Sequence, residues 1–340
     1  MTARAFVVGC SGPELTDEER AFLIEAEPFG LILFRRNIVS PEQVRALTDV
    51  FRDVVGRHDA PVLIDQEGGR VQRLGSPHWP RYPAGGAFGR IGKAGGSIGC
   101  EAARLGARLI AHDLRSLGIT VNCMPVLDVP LAGAHEIIGD RAYAEEPEAV
   151  ASLGGAVAEG LLDGGVLPVL KHIPGHGRAG SDSHERLPRV DAPLQALRDR
   201  DFRPFQALAR LPAAMTAHVV YEAIDPERPA TISPVVVDRI IRGEIGFDGL
   251  LLTDDLSMHA LSGDFCARAE AAFRAGCDIA LHCNGDLAEM RGVAEASPRL
   301  SGTALRRAEA VLALISREPA DDFDPVNGRR AFETALAEAA

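Results

Sequence analysis

Eight short apolar runs, separated by segments with helix signals, are the feature that most constrains how this chain can fold. Each run is almost continuously apolar and lacks the polar alternation of a half-exposed strand. This pattern is typical of strands buried on both faces of a parallel sheet. The eight candidate strands span residues 6–8, 31–34, 62–64, 120–127, 166–170, 213–217, 250–252 and 279–281.

The segments between these runs begin with helix punctuation. Ser40, Pro41 and Gln43 supply an N-cap, a proline at the first helical position and a capping-box glutamine. Thr16 begins a second capping box, and Ser233 precedes a third helix. Eight strands alternating with helices over about 300 residues predict an α/β fold of the (β/α)8 TIM-barrel type, with a doubly wound open sheet as the alternative.

Polar side chains at the ends of the runs distinguish the two architectures. In a barrel the functional residues come from the carboxyl ends of several strands, whereas an open sheet gathers them at one switch point. Here polar residues follow five runs: Asp65, Asp128, Lys171 with His172, His218, and Asp254 with Asp255. This distribution favours the barrel.

The whole chain of 340 residues is expected to form one catalytic domain, residues 1–340, with a C-terminal helical extension from about residue 299. Leu305, Ala308, Leu312 and Ile315 have the spacing of one apolar helix face in that extension. For the oligomeric state, a monomer is the favoured expectation.

Charge and composition exclude several classes of partner. Asp plus Glu number 48 against 36 Lys plus Arg, so the formal charge of −12 disfavours nucleic acid and anionic membranes. No apolar run reaches the roughly 20 residues that span a bilayer. The six cysteines form no CxxC pair, which indicates reduced thiols. We therefore expect a cytoplasmic protein with a small-molecule partner.

Residues 173–193 form a long connection that is rich in proline and glycine and lacks helical periodicity. Connections of this length are usually lids or binding loops. Within it, Asp182 lies two residues before His184, close enough in an extended segment for the carboxylate to orient the imidazole. A solvated loop histidine is the alternative interpretation.

Two other carboxylate groups follow buried strands. Asp254 and Asp255 close the seventh run, where a carboxylate must be hydrogen-bonded, metal-bound or used in chemistry. Either residue could instead cap the next helix, and the pattern leaves both candidates open. Asp65 begins a polar run that includes Arg73; carboxylates and guanidinium groups bind sugar hydroxyls, although a salt-bridged surface turn is the alternative.

A metal site is a further alternative. It would use histidines and aspartates from several strand ends: His172, His176, His184, His218, His259, Asp65, Asp128 and Asp254. Metal-dependent barrel hydrolases usually have a close histidine pair after the first strand, and this chain has none there, so we expect no metal. Gly85-Gly86 lacks the spacing of a nucleotide-binding loop; we interpret it as a turn and expect no cofactor.

Four stretches together resemble the family 3 glycoside hydrolases, in particular the single-domain bacterial β-N-acetylglucosaminidases of peptidoglycan recycling. The stretches are residues 64–73, 171–177, 182–184 and 252–258, and the resemblance runs from about residue 5 to 290. It implies a (β/α)8 barrel and a retaining, two-step mechanism. By position, Asp254 matches the nucleophile, His184 the general acid/base and Asp182 its partner. Substrate-binding positions match Asp65, Arg73, Arg141, Lys171 and His172.

The resemblance also implies a substrate, and the length of the chain then favours a protein without a second domain. Release of non-reducing terminal β-N-acetylglucosamine from muropeptides that contain anhydro-N-acetylmuramic acid is the implied reaction. Larger relatives such as β-glucosidases add a domain that supplies the acid/base, and 340 residues leave no room for it, which favours His184. Alternatives are a glycoside phosphorylase using the same residues, a metal-dependent barrel hydrolase and a non-catalytic sugar-binding protein.

Overall fold

The structure, a computed structural model, describes residues 3–91, 96–131, 137–180, 187–317, 319 and 323–337. Most of its strands are short, and most residues of the central sheet are buried. In chain order they are β1 Arg4–Val8, β2 Pro28–Leu33, β3 Val62–Ile64, β4 Gln66–Gly68, β5 Val71–Gln72, β6 Val121–Asn122, β7 Leu167–Pro168, β8 Leu170–Ile173, β9 Arg189–Val190, β10 Ala213–Thr216, β11 Val220–Tyr221, β12 Leu250–Asp255 and β13 Ile279–His282.

The central sheet closes into a barrel because its two ends belong to one stretch of chain. Its order is β7-β6-β3-β2-β1-β13-β12-β10-β8, and every neighbouring pair is parallel. Only Val169 separates β7 from β8, so one interrupted strand stands at both ends of this order. A parallel bridge between Val126 and Lys171 adds to the closure. The predicted (β/α)8 barrel is confirmed, and the open sheet is wrong.

Each of the eight predicted runs overlaps a strand of the barrel, and the bounds differ where the hydrogen bonding departs from the hydropathy pattern. The fourth run was expected over 120–127, but its regular strand spans only Val121–Asn122. Pro125, in the second half of the run, has no N–H to donate to a neighbouring strand. The seventh was expected to end at Leu252, yet β12 continues to Asp255. This extension carries two acidic residues to the end of the barrel.

Helices follow the strands around the barrel. In chain order they are α1 Asp17–Ala26, α2 Pro41–Val55, α3 Gly85–Arg90, α4 Ser97–Arg115, α5 Pro147–Asp163, α6 Leu194–Ala196, α7 Arg203–Ala207, α8 Phe265–Ala275, α9 Leu287–Ala296, α10 Gly302–Ile315 and α11 Pro325–Ala337. Shorter 3₁₀ turns span Arg35–Asn37, Gly139–Arg141 and Ala230–Ile232, and π-helical segments span Leu197–Asp201 and Val236–Glu244.

Several predicted helix starts are confirmed and one turn is wrong. Thr16 forms a capping box with Glu19, and Ser40 Oγ accepts the backbone N–H of Gln43. Gly85 and Gly86, which were expected in a turn, instead begin α3. This helix lies so close to the neighbouring chain that a Cβ at Gly85 would be 2.4 Å from the carbonyl oxygen of Arg141. Tertiary packing therefore overrides the low helix propensity of glycine.

Apolar side chains fill the barrel and close its amino-terminal end. Inward-facing residues of the strands, such as Val7 and Leu63, form one buried cluster with residues of α10. Ala308 and Ile315 of α10 belong to this cluster, so α10 covers the end where the strands begin. The opposite end, where the strands finish, is left for polar residues. Within the described residues no helix is long and apolar enough to cross a membrane.

The segment from about residue 299, for which a helical extension was expected, contains α10 and α11. Two small sheets lie outside the barrel. β4 and β5 form an antiparallel hairpin, and β9 pairs with β11 in parallel. The hairpin follows β3 directly, so it starts at the carboxyl end of the barrel.

Candidate active site

A cavity of about 240 Å³ opens at the carboxyl ends of the barrel strands. All six predicted site residues that the structure describes line it: Asp65, Arg73, Arg141, Lys171, His172 and Asp254. The other two, Asp182 and His184, lie outside the described residues. Phe34 and Met258 are among the apolar side chains of the wall. A mixed polar and apolar lining suits a small polar ligand with hydrophobic faces.

Asp65 is held by two cations. Lys171 Nζ lies 2.8 Å from its Oδ1, and Arg73 Nη2 lies 3.0 Å from its Oδ2. Burial alone would raise the pKa of Asp65, but the charges of Lys171 and Arg73 outweigh it and hold the pKa well below its usual range. Asp65 is therefore ionised at neutral pH. Arg73 also stacks on Phe34, with its guanidinium carbon 5.0 Å from the ring centroid.

Glu67, to which the sequence analysis gave no role, joins the other two cations. Its carboxylate accepts two bonds from Arg141, at 2.9 Å from Nε and 2.8 Å from Nη2. Lys171 Nζ lies 2.6 Å from Glu67 Oε1, so Lys171 bridges Asp65 and Glu67. Burial raises the pKa of Glu67, but the charges of Arg141 and then Lys171 lower it by more, so that the pKa is about 2. The bidentate geometry fixes the direction of the Arg141 side chain.

The carboxylates of Asp65 and Glu67 raise the pKa of Lys171 and of Arg141. Burial lowers the pKa of Lys171, and Asp65 and Glu67 more than compensate, so its pKa lies above the usual range. Arg141 shows the same balance, with Glu67 as the main charge that raises its pKa. Three cations against two carboxylates leave one net positive charge on this wall. N–H donors dominate it, and such donors pair with hydroxyl and carbonyl oxygens.

Asp128 orients His172, and the sequence analysis did not predict this contact either. Its Oδ2 lies 2.7 Å from His172 Nδ1, and its Oδ1 accepts the backbone N–H of His172 and of His176, at 3.2 and 2.6 Å. Burial raises the pKa of Asp128, but His172 lowers it more, to about 2. An ionised carboxylate only accepts, which assigns a proton to His172 Nδ1 and turns Nε2 away from Asp128.

Of the other described histidines named in the metal alternative, His176 and His218 are buried. Burial, and then the charge of His172, lower the pKa of His176 to about 4, so its ring is neutral at pH 7. His218 Nε2 donates to the Asp255 carbonyl oxygen at 3.0 Å, and its Nδ1 lies 2.7 Å from Thr231 Oγ1. His259 is exposed. Among the described residues, no three His, Cys, Asp or Glu side chains come together to hold a metal.

Asp254 and Asp255 both line the cavity but have different surroundings. Asp255 Oδ1 accepts the backbone N–H of Ser257 and Cys283, and its Oδ2 accepts the Ser257 hydroxyl at 2.6 Å. It thus organises the turn after β12. Neither residue caps the next helix, α8, whose N-cap is Asp264. Asp254 Oδ1 accepts the N–H of Asp255, and its own N–H lies 3.3 Å from Thr216 Oγ1.

Cys283 is the thiol that lines the cavity. Burial, and then the charge of Asp255, raise its pKa well above 9. The thiol therefore stays neutral and is a poor nucleophile at neutral pH. The nucleophilic carboxylates described in the cavity lining are those of Asp65, Asp254 and Asp255.

Comparisons with known proteins give the family. Residues 6–311 match the model of the "Glycosyl hydrolase family 3 N terminal domain". The chain belongs to glycosyl hydrolase family 3. A beta-hexosaminidase of Alkalilimnicola ehrlichii is 42% identical over 282 residues, which are 82% of this chain and 80% of the relative. A beta-hexosaminidase of Methylococcus capsulatus is 43% identical over 277 residues, 80% of each chain.

The fold of this family 3 member is also similar to solved structures. NagZ from Neisseria gonorrhoeae, in complex with N-trifluoroacetyl-D-glucosamine, superposes with a TM-score of 0.85. The two chains are 32% identical, and the match covers 100% of this chain and 99% of that one. The expected family and glycosidase class are confirmed, since the curated relatives are beta-hexosaminidases.

The sequence analysis gave Glu67 no role, and it named Asp128 and His176 only as candidate metal ligands, not as partners of other cavity residues. Glu67 lies two residues after Asp65 in the same polar run, and Asp128 follows the fourth run just as Asp65 follows the third. The rule that a carboxylate after a buried strand needs a partner applies to both. It could have identified them as partners of Arg141 and His172. The sequence signal for His176 is weaker, because it lies on an irregular loop.

Proposed function

We propose that this family 3 enzyme releases non-reducing terminal β-linked N-acetylglucosamine from muropeptides that contain anhydro-N-acetylmuramic acid. The names of its relatives support a hexosaminidase, and one similar structure holds an N-acylated glucosamine. The cavity has room for one sugar ring and a wall rich in donors. Such fragments come from peptidoglycan, and we propose that the enzyme acts on them in the cytoplasm.

Asp254 is the nucleophile in this proposal. Its carboxylate attacks the anomeric carbon, the glycosidic bond breaks, and a covalent glycosyl-enzyme forms; water then cleaves this ester with net retention of configuration. The observation that supports Asp254 over Asp255 is the engagement of Asp255 by Ser257 and Cys283. A carboxylate that organises a turn cannot leave it to bond to a sugar without disrupting that turn.

His184 is the general acid/base in this proposal, and Asp182 is its partner. His184 donates a proton to the leaving oxygen and later takes one from the attacking water. An imidazole has an ordinary pKa near 6.5, so it needs less burial than a carboxyl group to transfer protons at neutral pH. In the sequence both residues lie between β8 and β9, in the stretch rich in proline and glycine, which supports a loop origin for the proton donor.

The charged wall binds the sugar hydroxyls. Lys171, Arg73 and Arg141 donate, and Asp65 accepts through the lone pairs that its two cations leave open. His172 presents Nε2 because Asp128 occupies Nδ1. A pre-arranged set of ionised groups of this kind binds a neutral sugar without first reorganising.

The test compares Asp254→Asn with Asp264→Asn, which makes the same charge change at the N-cap of α8, where Asn also caps. The substrate is an aryl β-N-acetylglucosaminide. We expect kcat/KM to fall about 10³-fold or more in Asp254→Asn and to stay unchanged in the control. Full activity of Asp254→Asn would refute the assignment.

Three outcomes of the same assay would favour other activities. A rate that depends on phosphate, with sugar 1-phosphate as product, would identify a glycoside phosphorylase. Loss of activity on adding a chelator would identify a metal-dependent hydrolase. Sugar binding without turnover would identify a binding protein. Retention is checked by NMR, where the β-anomer of the released sugar must appear first.

A further inference from the structure

Helix α11 lies beyond residues 6–311, which match the family, yet it is anchored in the core. Phe332 of α11 is only 3% exposed and packs on α4 at Gly106, where a Cβ would lie 2.8 Å from the Phe332 ring. The Phe332 ring centroid is 6.3 Å from that of Tyr82 and 6.2 Å from that of Phe88. The absence of a side chain at Gly106 thus allows α11 to dock closely.

Arg329, one turn before Phe332, connects α11 to the buried Tyr82. Arg329 Nη2 donates to the Tyr82 hydroxyl at 2.9 Å, and its guanidinium carbon lies 5.3 Å from the Tyr82 ring centroid. The Tyr82 hydroxyl donates in turn to Asp113 Oδ2 of α4 at 2.6 Å. Arg329 and Asp113 lie 3.8 Å apart. Tyr82 is therefore held between a cation and a carboxylate of two different helices.

The backbone around Tyr82 holds the hairpin β4–β5 on both strands. The Tyr82 carbonyl accepts the N–H of Gly69 at 2.9 Å, and the Tyr82 N–H donates to Gln72 Oε1 at 2.9 Å. A Cβ at Gly68 would lie 2.2 Å from the carbonyl oxygen of Pro83, so the hairpin lies directly against this segment. A shift of Tyr82 would thus be transmitted to both hairpin strands.

This hairpin carries Glu67, which orients Arg141 and Lys171, and it leads directly into Arg73. We propose that α11 is a positioning element for the sugar-binding wall and that Arg329 is its positioning residue, acting through Tyr82 and the hairpin. The inference rests on the proposed function only for the identity of the ligand. Its structural part, the coupling of α11 to the hairpin, does not depend on any activity.

The expected effect is on binding more than on chemistry. The hairpin side chains contact the sugar hydroxyls or orient groups that do, and these contacts are made in both the ground state and the transition state. Removing such uniform binding raises KM and leaves kcat almost unchanged. A single hydrogen bond typically contributes about five-fold to an equilibrium. We therefore expect KM and the Kd for N-acetylglucosamine to rise about five-fold in Arg329→Ala.

The matched control is Arg330→Ala, which removes the same charge from the adjacent, exposed position of α11. Arg329→Lys keeps a donor for the Tyr82 hydroxyl and is expected to restore most of the affinity. Amide hydrogen exchange over residues 66–74 is measured on the same proteins. We expect faster exchange there in Arg329→Ala, and exchange as in the unmodified protein in Arg330→Ala and Arg329→Lys.

Tyr82→Phe provides a second variant that keeps the ring packed against Phe332 while removing the hydroxyl. The rise in Kd in Tyr82→Phe should match that in Arg329→Ala. The Kd of the variant that carries both substitutions should be no higher than that of either single variant. Unchanged exchange over 66–74 in Arg329→Ala, or faster exchange with unchanged Kd, would overturn the inference. If the unmodified protein neither binds nor cleaves the sugar, the proposed function fails, while the exchange data still decide the coupling of α11 to the hairpin.

Discussion

Glu67→Gln removes one charge from the buried wall while keeping the shape of the side chain. Glu67 is 7% exposed and accepts from Arg141 and Lys171, so the amide NH₂ of Gln would face a donor. Removing one partner of a buried pair costs about 3–5 kcal/mol. Because Gln keeps one accepting oxygen and Lys171 keeps Asp65, we expect the lower end, about 3 kcal/mol. For a chain of this length that lowers Tm by about 4 °C.

The ionisation of Glu67 sets how the loss of stability in Glu67→Gln depends on pH. Burial raises the pKa of Glu67, and Arg141 and Lys171 lower it to about 2, below its ordinary value. The folded pKa is depressed, so this stabilisation is complete above the unfolded pKa and is lost as pH falls toward 2. The difference between Glu67→Gln and the unmodified protein should therefore shrink by about 1 kcal/mol between pH 7 and pH 3.5.

Urea titrations at the two pH values measure both effects, with Glu309→Gln on the exposed face of α10 as the control. The control should not change the free energy of unfolding by more than about 0.5 kcal/mol. A loss below about 1 kcal/mol in Glu67→Gln at pH 7 would refute the account of the charged wall. So would a loss that is the same at both pH values.

Two further predictions concern the histidines of the cavity. Burial, and then the charge of His172, lower the pKa of His176 to about 4, so the contribution of His176 to stability is complete above about pH 6.5 and is lost as pH falls toward 4. In His176→Gln the free energy of unfolding should therefore vary less between these two pH values. The control His259→Gln, at an exposed position, should behave as the unmodified protein. Asp128→Asn removes the charged acceptor of His172 Nδ1 and should raise the Kd for N-acetylglucosamine about ten-fold, measured by calorimetry; an unchanged Kd would mean that His172 does not contact the sugar.

The barrel could be predicted because its strands are buried on both faces and so appear as apolar runs. Val62–Ile64 was predicted with its observed bounds. The antiparallel hairpin β4–β5 was not predicted, since its residues are polar. Side chains hold it instead: Gln66 Oε1 accepts the backbone N–H of Arg73 and of Leu74. Hydropathy carries no signal for a hairpin of this kind.

The residues that line the candidate site could be predicted from the sequence, but the contacts that hold them in place could not. Asp65, Arg73 and Lys171 were selected from strand ends and from a family resemblance, and all three line the cavity. The link from Arg329 to Tyr82 joins residues 247 positions apart and depends on how α11 docks. No periodicity or motif encodes such a contact, so it requires the three-dimensional structure.

The central claim is that Asp254 carries the sugar as a covalent intermediate. The direct measurement is to mix the enzyme with an activated fluorosugar analogue of N-acetylglucosamine whose glycosyl-enzyme hydrolyses slowly, quench in acid, and locate the added mass by peptide mapping. We predict one sugar on the peptide that contains Asp254, and none in Asp254→Asn. A sugar on Asp255 or on any other residue, or no adduct while the enzyme still turns over with retention, would contradict the account.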